Sequence, residues 1–181
     1  MYGGGELMPA RTRKIRDKQP KASRPHMPGY GLPVGAKGLL TWSWAKRRLE
    51  KSHNYWITTV KPDGSPHTMV VWGLWLDGAF CFSTGRTSRK ARNLSQNRRC
   101  IVCTEDADEA VIVEGEACLT DDLQFLRQFF KKYETKYNFD MSAFRNEPIF
   151  ILRPRVVFGL PEKRFPRAVT RWRFLAADRP N

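Results

Sequence analysis

The stretch HTMVVWGLWLDGAFCFSTGRTSRKARNLSQN, residues 67–97, decides how the chain is read. HTMVVWGLWL reads as a strand, Asp77-Gly78 as a tight turn, and AFCFST as the antiparallel strand that returns. The run stops at Gly85, where a residue without a side chain lets the backbone leave the strand sharply. Arg86, Arg89, Lys90 and Arg92 follow, mixed with Thr87 and Ser88, and a short helix is predicted from about Ser88 to Gln96. The pattern is that of an anion cradle. Ser83, Thr84 and Ser88 offer hydroxyls, and a helix starting near Ser88 offers free N–H groups and its positive dipole end. Arg89 would grip a phosphate with two donors, and Lys90 would act as a mobile point charge. Charge alone favours a solvated basic helix face. The placement directly after a buried-looking strand favours the phosphate site.

Strand signals continue on both sides of this stretch. NYWITTV precedes it, joined through KPDGS, where Asp63-Gly64 marks another tight turn. Arg99–Thr104 reads as a fourth strand, and the acidic loop EDADE leads into a fifth, AVIVEGEACLT. An amphipathic helix is predicted from Asp121 or Asp122 to about Tyr137, with Leu123, Leu126, Phe129, Phe130 and Tyr133 on one face. PIFILRP and VVFGL supply a sixth strand, with Pro154 expected to break it or place it at an edge. VTRWRFL is strand-like again. Upstream, TWSWAKRRLEKS carries Trp42, Ala45, Leu49 and Trp44 at near-helical spacing, with Thr41 as its expected cap. Hairpin-linked strands with a helical crossover imply a mainly β fold, a small antiparallel barrel with peripheral helices.

With 181 residues the chain is sized for one domain. Residues 1–38, rich in Gly, Pro, Lys and Arg, are expected as a flexible basic arm with a loose turn at PGYGLP, and 39–181 as the barrel domain. The net charge of +14 is concentrated: residues 11–24 and 153–173 each carry seven basic residues against one acidic, a net of +6 apiece. Such an excess favours phosphates, polyanionic ligands, nucleic acid or anionic surfaces. The longest apolar run, MVVWGLWL, is far too short to span a membrane, and MYGGGELMPARTRK does not read as a secretory signal. The four cysteines do not form a disulfide framework, which with the rest points to a cytoplasmic protein.

The order of elements resembles the flavin-binding split β-barrel family, which contains the pyridoxamine 5'-phosphate oxidases and their deazaflavin-dependent relatives. The likeness spans roughly Trp42 to Phe174. It is carried by VKPDGSPHTMVVWGLWLDGAFCFSTG, SRKARNLSQNRRC, VIVEGEACLTDD and TRWRF, the serine-arginine-lysine step being the most specific piece. The resemblance implies a six-stranded antiparallel split β-barrel, a homodimer, and FMN or the F-420 deazaflavin in a cleft at the subunit interface. By resemblance, Ser83, Thr84, Ser88, Arg89 and Lys90 would hold the cofactor phosphate. Met69, Val70, Val71 and Trp72 would run beside the ring, partly through backbone groups. Trp172 and Arg173 would reach the partner subunit's site. The strand matching Thr68–Gly73 lacks the basic residue that the true oxidases carry at each end, and TRWRF replaces their arginine-histidine substrate motif. The resemblance is therefore to the reductase branches, which transfer hydride to or from a small organic substrate.

Other constellations weigh less. Cys100 and Cys103 lie three apart on a strand and so point to opposite faces, which disfavours a shared metal. Of His26, His53 and His67, His67 lies at the start of the second strand, where it could hydrogen-bond a ligand, although a turn-end histidine satisfied by backbone or water is the commoner case. Trp72, Trp75 and Trp172 are candidate apolar walls for a substrate, although core packing is the commoner use of tryptophan. Arg153, Arg155, Lys163, Arg164 and Arg167 would serve either as a groove for a deazaflavin polyglutamate tail or as a solvated surface. Two other functions stay open: a non-catalytic flavin or deazaflavin carrier on the same fold, and a basic barrel that binds nucleic acid through RTRKIRDKQPKASR.

Overall fold

The computed structural model describes residues 19–174. They form strands β1 (Lys21–Ser23), β2 (Tyr55–Val60), β3 (Pro66–Val71), β4 (Leu74–Leu76), β5 (Ala79–Ser83), β6 (Arg99–Thr104), β7 (Glu109–Leu119), β8 (Ile149–Pro161) and β9 (Thr170–Arg173). The helices are α1 (Trp42–Lys51), α2 (Arg89–Gln96) and α3 (Leu123–Tyr137). All strand pairs are antiparallel, in the order β1-β9-β8-β7-β6-β2-β3, with β4 on β5 and β5 on β8. This is the mainly β architecture expected from the sequence, a split barrel with peripheral helices.

HTMVVWGLWL is the one predicted strand that divides. Its first half, β3, pairs with β2, and its second half, β4, pairs with β5. The ladder is interrupted at Trp72 and Gly73, so the ring of β2, β3/β4, β5, β8, β7 and β6 is joined there by covalent chain and not by strand hydrogen bonds. Gly73 has no room for more: a Cβ would stand 2.3 Å from Phe80 Cζ and 2.8 Å from the Cys81 carbonyl oxygen. The return at Asp77-Gly78 has positive φ at both residues (50° and 78°), the geometry of a two-residue hairpin turn.

Two cores explain the two kinds of strand pattern. β2 and β6 alternate buried and accessible residues because only one face meets the barrel interior, which Ile57, Val102, Val113 and Val157 fill. β5 and the start of β8 are continuously apolar because α3 covers their outer face: Phe125, Phe129, Phe130 and Tyr133 pack on Leu76, Cys81, Ile149 and Ile151. Asp122 caps α3, accepting from the Gln124 and Phe125 N–H groups. The buried face carries Phe125 where Leu123 was expected; Leu123 is 69% exposed in the first turn. In α1 the buried residues are Trp44, Ala45 and Leu49, with Trp42 partly covered by Trp75, Trp172 and Phe174. Thr41 takes the cap position, but its hydroxyl pairs with Ser43 Oγ and caps no backbone group.

Pro154 does not break β8. It sits opposite Gly115 at a register shift, at the point where the second edge of β8 passes from β5 to β9 and no ladder bond is required of it. Part of the segment expected as a free arm is also in the sheet. β1 adds to the edge of β9, and the Arg24 guanidinium donates to the carbonyls of Arg167, Val169 and Lys37. Residues 1–18, the remainder of that arm, lie outside the described residues.

Gly115→Ala is expected to lower the urea midpoint by the equivalent of about 1–3 kcal/mol, because the added Cβ would overlap the Arg153 carbonyl. An unchanged midpoint would show that the β7–β8 bulge relaxes freely.

Candidate functional site

β5 ends at Ser83, and α2 begins six residues later at Arg89. The Ser88 N–H closes a turn on the Gly85 carbonyl at 2.9 Å. Ser88 Oγ accepts from the Ala91 N–H at 3.1 Å and lies 3.0 Å from Thr84 Oγ1. The loop is held from the far side: the Arg86 N–H donates to Glu147 Oε2 at 2.8 Å, and Arg86 Nη2 donates to the Asn146 carbonyl at 3.0 Å. Ser83 Oγ donates to the Pro148 carbonyl at 3.5 Å, at the limit of a useful bond.

Arg86 is thereby consumed by the loop, while Arg89 and Lys90 make no hydrogen bond or ion pair with any described residue. The first turn of α2 holds no acidic residue. Arg89 is exposed and Lys90 half-buried, and burial pulls the Lys90 amine below the usual lysine range. Two cations beside the positive end of a helix repel one another unless an anion stands between them. Ser83, Thr84, Ser88, Arg89 and Lys90 thus lie together at the junction of β5 and α2.

α2 rests on the barrel end through Asn93, which is fully buried and donates from Nδ2 to Thr59 Oγ1 at 2.9 Å. Thr59 is in register with His67, the second residue of β3. Asn93 Oδ1 and His67 Nδ1, on either side of Thr59, are both buried without a hydrogen-bond partner. Asn93 carried no sequence signal, because its role depends on a strand 34 positions away.

The second wall is β3. It pairs only with β2, so its other edge leaves backbone N–H and C=O groups free. Met69 is in register with buried Ile57 and faces the barrel side; at 47% exposed it shows that no described residue covers β3 there. Val71 is buried and Val70 faces outward. The Trp72 ring stacks on Tyr137 (4.7 Å, 7°) and its Nε1 donates to Asn54 Oδ1 at 3.2 Å. Because β4 follows β5 while β3 follows β2, the two strands diverge from Gly73. The opening between them has Met69–Trp72 on one side and the β5 end with α2 on the other.

Trp172 and Arg173 are not brought to this cleft. β8 stands between β9 and β5, and Trp172 is 1% exposed, packed between Trp42 and the backbone of Gly159. Within this chain Trp172 is a core residue. Trp75 is likewise buried in the core. Of the basic residues weighed for a tail groove, Arg153 and Lys163 stand about 30 Å of extended chain apart, and Arg155 pairs with Glu116 at 3.2 Å. Cys100 faces the interior and Cys103 the outside of β6. A separate polar cavity sets Arg47, Arg48 and Lys51 against Glu105, Asp106 and Glu109. There three basic residues share the cavity with three carboxylates, and Arg48 pairs with Glu109, whereas the first turn of α2 holds no acidic residue.

Residues 44–160 match the family model described as pyridoxamine 5'-phosphate oxidase, and the chain belongs to that family. No curated protein matches the sequence. The fold is similar to that of a conserved hypothetical protein from Mycobacterium tuberculosis, at 20% identity and a TM-score of 0.63, over 71% of this chain and 89% of that one. It is similar to an F420 reductase at 22% identity and a TM-score of 0.53, over 62% and 94% of the two chains. It is also similar to HutZ, the heme storage protein of Vibrio cholerae, at 15% identity and a TM-score of 0.55, over 62% and 89%. At these identities the likeness establishes the fold.

Ser88→Ala removes the cap of α2 and is expected to cost about 1 kcal/mol, with faster amide exchange confined to residues 89–96. Exchange unchanged in α2 would contradict the capping role.

Proposed function

We propose that this protein is an oxidoreductase of the pyridoxamine 5'-phosphate oxidase family that binds FMN or the F-420 deazaflavin in the opening between β3 and β5. The observation that carries the proposal is the pair of unmatched cations, Arg89 and Lys90, at the hydroxyl-lined start of α2. A phosphate fits that donor set: it accepts from the free N–H groups of the first helical turn and from two cationic side chains. Such a cofactor supplies hydride transfer between its ring and a small organic substrate. The protein's part is to hold and to exclude. Ser88, Arg89 and Lys90 anchor the phosphate, the free edge of β3 orients the ring through backbone groups, and Met69, on the barrel side of β3, shields one face of it.

A homodimer completes the proposal. Val70, Trp56, Cys103, Ile112 and Phe158 lie in one row across β3, β2, β6, β7 and β8, on the face turned away from the barrel interior. None of them is buried, and Trp56 and Val70 are 49% and 45% exposed. A contiguous apolar sheet face of this kind fits a second copy of the chain, packed about a twofold axis. The row continues into Arg171 on β9, and Arg173 lies on the same face, so this dimer would bring those arginines toward the partner subunit. Among the described residues no helix is long and apolar enough to cross a membrane, and a cytoplasmic location goes with the proposal.

Changing Arg89 and Lys90 together to Ala is expected to weaken binding of FMN or F-420 by about a hundredfold, as loss of two charge-assisted contacts implies. Fluorescence titration reads this directly, and unchanged affinity would overturn the phosphate assignment. Trp56→Asp should convert a dimer to a monomer in light scattering after size exclusion. A wild-type monomer, or a variant that stays dimeric, would contradict the proposed interface. Turnover of a reducible substrate separates an enzyme from a carrier.

A further inference from the structure

We propose that Lys136 and Tyr137, in the last turn of α3, are positioning residues that hold the bend at Trp72 and Gly73 and so fix where β3 stands as a wall of the cleft. The inference rests on the cofactor reading above.

Gly73 lies between two strands, so neither ladder satisfies its backbone. Its partners are side chains of α3. The Gly73 N–H donates to Tyr137 Oη at 2.8 Å, and the Gly73 carbonyl accepts from Lys136 Nζ at 3.1 Å. The Tyr137 hydroxyl, with one proton to give, has the Gly73 carbonyl at 2.8 Å and the His53 carbonyl at 2.9 Å. Lys136 Nζ also donates to Tyr55 Oη at 2.9 Å, and Tyr55 Oη donates to the Leu49 carbonyl at the end of α1. One residue earlier, the Trp72 ring lies flat on Tyr137. The bend is therefore gripped on backbone and side chain together, and the space around Gly73 leaves it no alternative path.

Lys136 is a costly residue for packing alone. It is half-buried and forms no ion pair with any described residue. The groups that face it are Tyr55 from β2, Tyr137 from its own helix with Tyr133 one turn back, His53 from the α1–β2 link, Glu105 from the β6–β7 loop and, through Tyr55, Glu50 from α1. Burial pulls its amine down to about 8, and Glu105 opposes the shift only in part. An apolar side chain would cover the Tyr55 and Tyr137 rings without that penalty. What the lysine adds is a charged donor on the Gly73 carbonyl.

This gives two opposite pH dependences. A lysine depressed in the folded state is neutral there while still charged in the unfolded chain between about pH 8 and 10.5, so its contribution to stability rises with pH in that window. The grip on Gly73 weakens over the same range, because the charge on the donor is lost. Cofactor affinity should therefore fall where this part of the stability rises. A merely structural role would move both together.

The test is titration of wild type, Lys136→Met and Lys136→Arg with FMN and with F-420 from pH 6.5 to 9.5, beside urea unfolding. Wild-type affinity is expected to fall through about pH 8. Lys136→Met should bind about tenfold more weakly at pH 7, with no inflection near pH 8 and no loss of urea stability. Lys136→Arg should restore the affinity and keep it to pH 9.5. Wild-type affinity and pH profile in Lys136→Met would overturn the proposal. Should the wild type bind neither ring, the cofactor reading fails, and the Trp72 signal then decides for the bend. Near-UV circular dichroism, taken as the difference from Trp72→Phe, should titrate near pH 8 in wild type and stay flat in Lys136→Arg. A wild-type signal that is flat as well would overturn the positioning role.

Discussion

One strand has to serve two ladders, and the cleft exists because it does. Residues 66–71 belong to β2 and residues 74–76 to β5, so the chain turns at Trp72 and Gly73. A side chain at position 73 has no place to go, with the Phe80 ring and the Cys81 carbonyl already there. The turn separates β3 from β5, exposes Met69 on what would otherwise be an interior face, and leaves the far edge of β3 unpaired. α3 stabilises the same corner from outside, burying Phe125, Phe129 and Phe130 on the β5–β8 surface and ending at the bend with Tyr137.

Electrostatics distinguishes this opening from the other polar recess of the molecule. At the end of α1 the basic residues face Glu105, Asp106 and Glu109, so that recess is neutralised from within. At the start of α2 Glu147 accepts from the Arg86 N–H, and Arg89 and Lys90 make no ion pair with any described residue. An arrangement that repels itself is stabilised by an anion from outside the chain, and the proposal of a phosphate-bearing ligand rests on that.

The sequence made part of this legible. The cradle could be read because its hydroxyls and cations are neighbours in the chain, and because Ser88 is followed by a helical run. The hairpin at Asp77-Gly78 announced itself through the turn residues. The bend could not be read: HTMVVWGLWL is apolar throughout, and without alternation no residue marks where one ladder ends. β1 was hidden because its short run KAS sits among basic and proline residues, and only the open edge of β9 makes it a strand. Within this chain the short β9 strand turns Trp172 into the core, over a glycine that leaves room for its ring, which no local pattern signals. Asn54, Asn93 and Tyr137 reach the site over long sequence separations, which no local pattern records.

The most direct measurement is a crystal structure of the protein with FMN or the F-420 deazaflavin, whichever binds. The account predicts the phosphate at the start of α2, within hydrogen-bond reach of Ser88, Arg89 and Lys90, with the ring along the free edge of β3. A phosphate bound elsewhere, or a ring on the far side of the sheet, would contradict it.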